Sequence, residues 1–533
     1  MTAVLARPAP ARRARRVRPH AALPLPLALL VAVASGLAYT LSFPAPSIWI
    51  LAFVGAGGAL VALRGRGFWS GALVGLVFGA AFWFTLIDWL TLFLGEVPLL
   101  ALAGLQALLV AAGCGLIALA YRAVPAVWTS RWGRLGLLPL VVAAAWTSRE
   151  VVAGTWPYGG FAWGRFALSQ SASPFAPLAA WLGLSGLSFL LAWLTAFAVA
   201  LVTEPRGGFA PIERDRTGVV LPRLLAAAVA AGLVLAVPAF PISVSGSMRI
   251  AAVQPNTHAG YFDPANDPVA NLRATVQATE PAIGRGADLV VWPEGAAQFD
   301  PFEDAGVRNQ LDVVAQLTGA PLLTGAITQR KGVEYNSSLL WRSGSGITGL
   351  YDKVHPVPFA EYVPDRAFWT PFAPDLLKLI GRDYALGTRP SVLDAGAARI
   401  GVDICFDVVD DGLILGSVAQ GAQVLVAQTN NADFGRTEEN QQQSAIARLR
   451  AIETGRAMVS DSTVASTTAF GPDGRVLATT RPFRAQAMVV DVPLANGITP
   501  AVSFGIGLGG GIALFGALAP LAAALLARRR TGA

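Results

Sequence analysis

What limits this chain most is the recurrence of apolar stretches long enough to cross a bilayer. They lie near 22–41, 48–63, 68–94, 99–121, 135–148, 177–202 and 221–240, with one more at 502–527. A spanning helix needs roughly 20 apolar residues, so these stretches predict about eight spans, the fifth being short. In hydrocarbon every backbone N–H and C=O needs a partner within the protein, which makes such segments helical. Hydrophobic residues are 54% of the chain and charged residues 14%. That balance excludes an ordinary soluble enzyme and fits a membrane protein with one polar domain.

Charge gives the orientation. The tail 1–20 carries Arg7, Arg12, Arg13, Arg15, Arg16 and Arg18. Alternate loops then carry Arg64 and Arg66, next Arg122, Arg131 and Arg134, next Arg206, Arg214, Arg216 and Arg223, and the end has Arg528, Arg529 and Arg530. The turn near Glu96 has no Lys or Arg. By the positive-inside rule both termini are expected in the cytoplasm. The expected organisation is a basic cytoplasmic tail (1–20), a transmembrane domain of about seven spans (21–244), an extracytoplasmic domain (245–499), and a final span with a basic tail (500–533). The net charge of +7 therefore reads as topology. No basic patch interleaved with stacking aromatics argues for nucleic acid. The two cysteines, Cys114 and Cys405, build neither a disulfide framework nor a zinc site. No metal or cofactor is expected. Asp88, inside the third apolar stretch, is either functional or close to the membrane surface. The aromatic, glycine-rich loop 155–174 is either an interfacial belt or a lipid-facing segment beside a site.

Residues 245–499 have an α/β texture. Strands are expected at 249–254, 288–292, 321–327, 399–404 and 423–428, with hairpins at 337–351 and 457–480. Helices are expected at 267–285, 408–420 and 440–454. Glu294, Lys353 and Cys405 each stand just past a predicted strand, where sites assemble in α/β layers. A carboxylate beside a thiol can act as general base, and a lysine can stabilise an oxyanion. N–H groups at a helix start would favour a thiolate at Cys405. Taken singly, Glu294 equally caps a turn, Lys353 pairs with Asp352, and Cys405 is a small buried hydrophobe.

WPEGA at 292–296, YDKVHPVPFAEYVP at 351–364 and DICFD at 403–407 together resemble the Glu-Lys-Cys pattern of the nitrilase (carbon–nitrogen hydrolase) superfamily. With the apolar spans, the chain resembles the apolipoprotein N-acyltransferase family along nearly its whole length. GFAWGRFALSQ at 160–170, NNADFG at 430–435 and ARLRAIETGRAMV at 447–459 carry the same resemblance. It implies a polytopic α-helical membrane domain plus an extracytoplasmic nitrilase-like αββα sandwich in a bacterial cytoplasmic membrane. It also implies a base at Glu294, an oxyanion stabiliser at Lys353, a nucleophile at Cys405 and a further glutamate at Glu361.

The implied reaction moves an acyl chain from a membrane phospholipid, through a thioester, to the N-terminal amine of a diacylglyceryl lipoprotein. Phe406 and Asp407 stand where that family usually has Tyr and Glu, and Asp433 where it commonly has Trp. Near Phe262 an aromatic again replaces Trp. Phe359, Tyr362 and Phe434 are the expected substrate-facing residues. The loop 355–374, with Phe368, Trp369 and Phe372, reads as a hydrophobic lid. Two other readings fit fewer of these features: a membrane-anchored amidase of small C–N substrates, and a non-catalytic membrane scaffold. A role beside another cell-envelope enzyme is compatible with catalysis.

Overall fold

The computed structural model describes residues 21–203, 217–261 and 263–530. The basic tail, Arg206, Arg214, Arg216 and Phe262 lie outside the described residues. The apolar stretches form helices α1 (Leu25–Thr40), α2 (Leu51–Leu63), α3 (Phe68–Leu86), α4 (Glu96–Val127), α5 (Leu138–Ala153), α6 (Ala179–Thr203) and α7 (Thr217–Leu235). Among the described residues, five helices are long and apolar enough to cross a bilayer. They are α3, α4, α5 and α6 with their leading turns, and the last helix, Pro500–Arg530. The helices α1 and α2, and Leu225–Leu235 within α7, are apolar but shorter. The third stretch does not continue to 94 as one helix. It breaks after Leu86, and Asp88 is exposed in the following 3-10 turn. Asp88 is thus a surface residue at a helix end.

The helices alternate so that one end of the bundle gathers the basic loops. Ala22 N–H donates to Arg64 O (3.1 Å), and the Arg530 guanidinium donates to Val127 O. The opposite end gathers the connections 41–50, 87–95 and 154–178, and the polar domain sits there.

That domain has two six-stranded sheets. The first contains β1 (Val244–Gln254), β2 (Leu289–Val291), β3 (Leu322–Arg330), β4 (Val333–Arg342) and β5 (Gly346–Asp352). The second contains β6 (Val392–Asp394), β7 (Arg399–Ile404), β8 (Val424–Thr429), β9 (Ala457–Ser462), β10 (Thr468–Phe470) and β11 (Val476–Thr479). The last strand, β12 (Gln486–Ala495), returns to the first sheet and pairs antiparallel with β1. Alternation of side chains explains the layering. Ile400, Val402, Ile404, Val424 and Val426 meet Ile250, Val291 and Leu323 between the sheets. Leu322 and Val290 face outward onto α8 (Pro268–Thr279) and α9 (Ala305–Thr318), through Leu272 and Leu311.

Leu425 and Ala427 face the other way, onto α10 (Asp411–Ala419) and α11 (Glu439–Thr454). The result is an αββα sandwich. Its second helical layer shares one continuous apolar core with the membrane helices, from Ile414 and Ile446 to Leu187 and Trp146. The final helix α12 (Pro500–Arg530) then packs along α4, α5 and α6. The stretch 457–470 is two strands, not one, and β6, β12 and α9 were absent from the sequence reading.

Candidate active site

The site forms where β2, β5, β7 and β8 end. Glu294 follows β2 in a tight turn against β3. A Cβ on Gly325 would lie 2.7 Å from the Glu294 Cα and 2.6 Å from Pro293 O. Only glycine permits that approach. Lys353 follows β5, with its backbone N–H on Asn336 O (2.8 Å). Cys405 follows β7 and begins a 3-10 turn with φ of 52°, a left-handed conformation that is uncommon for a non-glycine residue. Such strained backbone recurs at functional turns.

Three charged groups meet in a buried cluster. Lys353 Nζ is 3.1 Å from Glu294 Oε1 and 2.8 Å from Glu361 Oε2. Lys353 is 1% exposed, Glu361 2% and Glu294 3%, so each charge depends on its neighbours for solvation. Asn336 Nδ2 donates to both carboxylates, at 2.7 Å to Glu294 and 2.8 Å to Glu361. Backbone N–H groups complete them: Asn430 to Glu294 Oε2 (2.9 Å) and Val357 to Glu361 Oε2 (2.7 Å).

Burial raises the Glu294 carboxyl, and the Glu361 charge adds to it against the pull of Lys353. Burial alone would lower Lys353, but Glu294 and Glu361 outweigh it and hold the ammonium well above its ordinary value. Burial, then the Glu294 carboxylate, pushes the Cys405 thiol well above its ordinary value, with Lys353 pulling back. The expectation of a resting thiolate is therefore corrected. Burial and the Glu294, Glu439 and Glu361 carboxylates favour the thiol over the thiolate that helix N–H groups would have favoured.

Asp407 is fully buried and ties the two arms of the site together. Its Oδ2 accepts from Tyr351 Oη (2.7 Å) and Ile404 N–H (3.2 Å), and its Oδ1 from His355 N–H (3.1 Å). The segments holding Lys353 and Cys405 are thus fixed to each other. Phe406 stacks on Phe161 (centroids 5.7 Å, planes 7° apart) and lies beside Trp163 (6.3 Å, 10°). The aromatic loop after α5 therefore supports the elbow. Trp163 and Trp89 both donate to Gln442 Oε1, at 2.7 Å and 3.1 Å. Phe434 packs edge-on to Trp89 (5.0 Å).

Phe359 lies against Tyr158 (6.1 Å) and Trp369 (5.5 Å), and Tyr362 is half-buried beside them. Phe368 and Phe372 are exposed. Asp433 Oδ2 accepts from Tyr261 N–H (3.0 Å) and so holds the chain at Tyr261.

Two features escaped the sequence reading. Asn336 is an interior strand residue with no motif. Glu439, at the start of α11, is 2% exposed and accepts from Asn431 Nδ2 (2.8 Å). Asn431 also donates to Gln443 Oε1 (2.7 Å), and Gln443 Nε2 faces Cys405 Sγ at 3.7 Å. Burial raises the Glu439 carboxyl from 4.5 to about 8. A polar residue that opens a helix gives no local sign that the fold will bury it.

Comparison with known proteins gives the lineage. The apolipoprotein N-acyltransferase N-terminal domain matches residues 35–197, and the carbon-nitrogen hydrolase domain matches residues 249–498. An apolipoprotein N-acyltransferase of Mycolicibacterium smegmatis is 30% identical, over 90% of this chain and 82% of the relative. The chain belongs to the apolipoprotein N-acyltransferase family. Other relatives of that name are from Ralstonia nicotianae, at 30% identity over 96% of this chain and 97% of the relative, and Geobacter metallireducens, at 28% over 88% and 90%. Membership makes the chain a membrane acyltransferase of the carbon–nitrogen hydrolase superfamily. It also accounts for the close docking of the α/β domain on apolar helices.

Proposed function

We propose that the chain transfers an acyl chain from a membrane phospholipid, through a thioester on Cys405, to the N-terminal amine of diacylglyceryl-cysteine lipoproteins. The observation that carries this reading is the Glu294–Lys353–Glu361 cluster beside a thiol whose elbow stacks on a membrane-domain loop. Glu294 takes the Cys405 proton as sulfur attacks the sn-1 ester carbonyl. Burial raises its affinity for a proton, which makes it a stronger base. Lys353 Nζ and a backbone N–H near Phe406 stabilise the tetrahedral oxyanion. Collapse breaks the C–O bond, and Glu294 returns the proton to the departing lysophospholipid oxygen. In the second half the neutral α-amine attacks the thioester and Glu294 takes its proton; as the C–S bond breaks, Glu294 passes that proton to sulfur and the thiol is regenerated. Glu361 holds Lys353 in place through its 2.8 Å contact with Nζ.

The remaining residues fit the same scheme. Phe359, Tyr362 and Phe434 form apolar walls for acyl chains, and the 355–374 loop is a lid that keeps water from the thioester. About eight crossings, from the five long apolar helices and three shorter ones, would put both termini on one side. The gathering of Arg64, Arg66, Arg122, Arg131, Arg134 and Arg528–Arg530 at the end opposite the α/β domain supports a cytoplasmic placement of that end. Residues 21–244 and 500–533 would then be the membrane part, and 245–499 the extracytoplasmic catalytic domain.

Mass spectrometry of the full chain in phospholipid tests the chemistry. An acyl adduct is expected on Cys405, absent in Cys405→Ala and strongly slowed in Glu294→Gln. A folded, lipid-supplied sample with no adduct would refute the mechanism.

A further inference from the structure

The helix α11 has two polar faces, and catalysis accounts for only one. Glu439, Gln442 and Gln443 face the thiol and the tryptophans. Asn440, Ser444 and Arg448, spaced four apart and so aligned on the helix surface, line a separate cleft of about 580 Å³. Pro44, Ser47, Ser171 and Ala172 of the membrane domain close its other wall, and Arg436, Pro482 and Phe483 form the rim.

We propose that this cleft binds the phosphate-bearing headgroup of an anionic membrane phospholipid, apart from the catalytic residues. Its charge is one-sided. Arg436 and Arg448 line it, and among the described lining residues none is a carboxylate. Glu438, beside Ala45 and Asp88, is outside the lining. Arg448 Nε, a donor, is buried without a hydrogen-bond partner. Leaving such a donor unpaired costs stability unless an acceptor meets it. Guanidinium groups pair with phosphate in fork geometry, which a lysine cannot match.

The rim is also held in place. The Arg436 guanidinium sits 4.0 Å over the Phe483 ring. Gln254 Nε2 donates to Arg481 O (2.8 Å) and Arg484 O (2.9 Å), fixing the loop backbone while both arginine side chains stay exposed. Arg481 and Arg484 thus flank Phe483 along the chain, and Arg436 covers its ring.

A lipid is favoured over a soluble anion by position. Pro44 and Ser47 belong to the turn between the apolar helices α1 and α2. Ile48 and Ile50, exposed just past Ser47, give acyl chains an apolar wall directly beside the charged cleft. A phosphate here would lie at headgroup depth.

The test uses full-length Cys405→Ala protein, so that bound lipid stays unreacted, in native mass spectrometry with phosphatidylglycerol, phosphatidylcholine or inorganic phosphate. Retention of phosphatidylglycerol over phosphatidylcholine by about tenfold is expected, as loss of charge-assisted contacts predicts. Combined Arg436→Ser and Arg448→Ser should abolish the preference. Asn440→Asp, which adds a carboxylate inside the cleft, should weaken it, and Arg285→Ser, an exposed arginine outside the cleft, should not. Thermal melts establish that each variant is folded. Equal retention of both lipids, an unchanged preference in the folded double variant, or equal displacement by inorganic phosphate would overturn the proposal. Because binding is read without turnover, the result stands apart from the acyl-transfer mechanism.

Discussion

Replacing Glu439 by Gln should stabilise this protein, and increasingly so as pH rises. The carboxyl is 2% exposed, and burial raises it from 4.5 to about 8. Between those values the unfolded chain releases this proton while the folded chain keeps it. The folded state binds more protons, so stability falls as pH climbs through the window. A shift from 4.5 to about 8 corresponds to a full cost of about 5 kcal/mol above pH 8, at 1.36 kcal/mol per unit. Below pH 4.5 the cost vanishes. Glutamine keeps the oxygen that accepts from Asn431 Nδ2 and cannot ionise. Thermal unfolding of detergent-solubilised protein at pH 4, 6 and 8 should show two curves that nearly coincide at pH 4 and diverge up to pH 8. Ionised Glu439 would also set a negative charge near Cys405, so adduct formation should decline above pH 8 in the parent chain and persist in Glu439→Gln. Parallel melting curves across that range would refute the argument.

Two further outcomes follow from the contacts between the domains. Asp411 accepts from Arg165 (2.7 Å) and Arg450 (2.8 Å), and these partners outweigh its burial and lower its carboxyl from 3.8 to about 2. Asp411→Asn should therefore destabilise by about 2 kcal/mol at pH 7. The difference is fully present above pH 3.8 and fades as pH falls through 2, as denaturant or thermal melts would record. Phe406→Ala removes the stack on Phe161 and Trp163 and should cost about 1–3 kcal/mol, less than a fully buried phenylalanine. Limited proteolysis at the 155–174 loop should speed up, whereas Phe406→Tyr should behave like the parent.

The sequence reading recovered the strands that end at Glu294, Lys353 and Cys405, because apolar runs bounded by turn residues are local signals. It missed β12, whose partner β1 lies over two hundred residues earlier, and read 457–470 as one strand where β9 turns back into β10. Glu361 was legible only through its motif. Asn336 and Glu439 were not legible, since each matters through residues that only folding brings near. Phe406 was read as a departure from its relatives. The structure gives that ring a definite place, flat against Phe161.

The apolar periods by themselves determined that the chain enters a membrane, and the strand–turn pattern determined an α/β domain, because both depend on short-range burial and backbone satisfaction. Tertiary structure alone decided the ionisation of the site. Whether Cys405 rests as thiol or thiolate, and whether Lys353 keeps its charge, depends on desolvation and on carboxylates several strands away. Coulomb energies at contact distance in a dry interior outweigh any preference written along the chain.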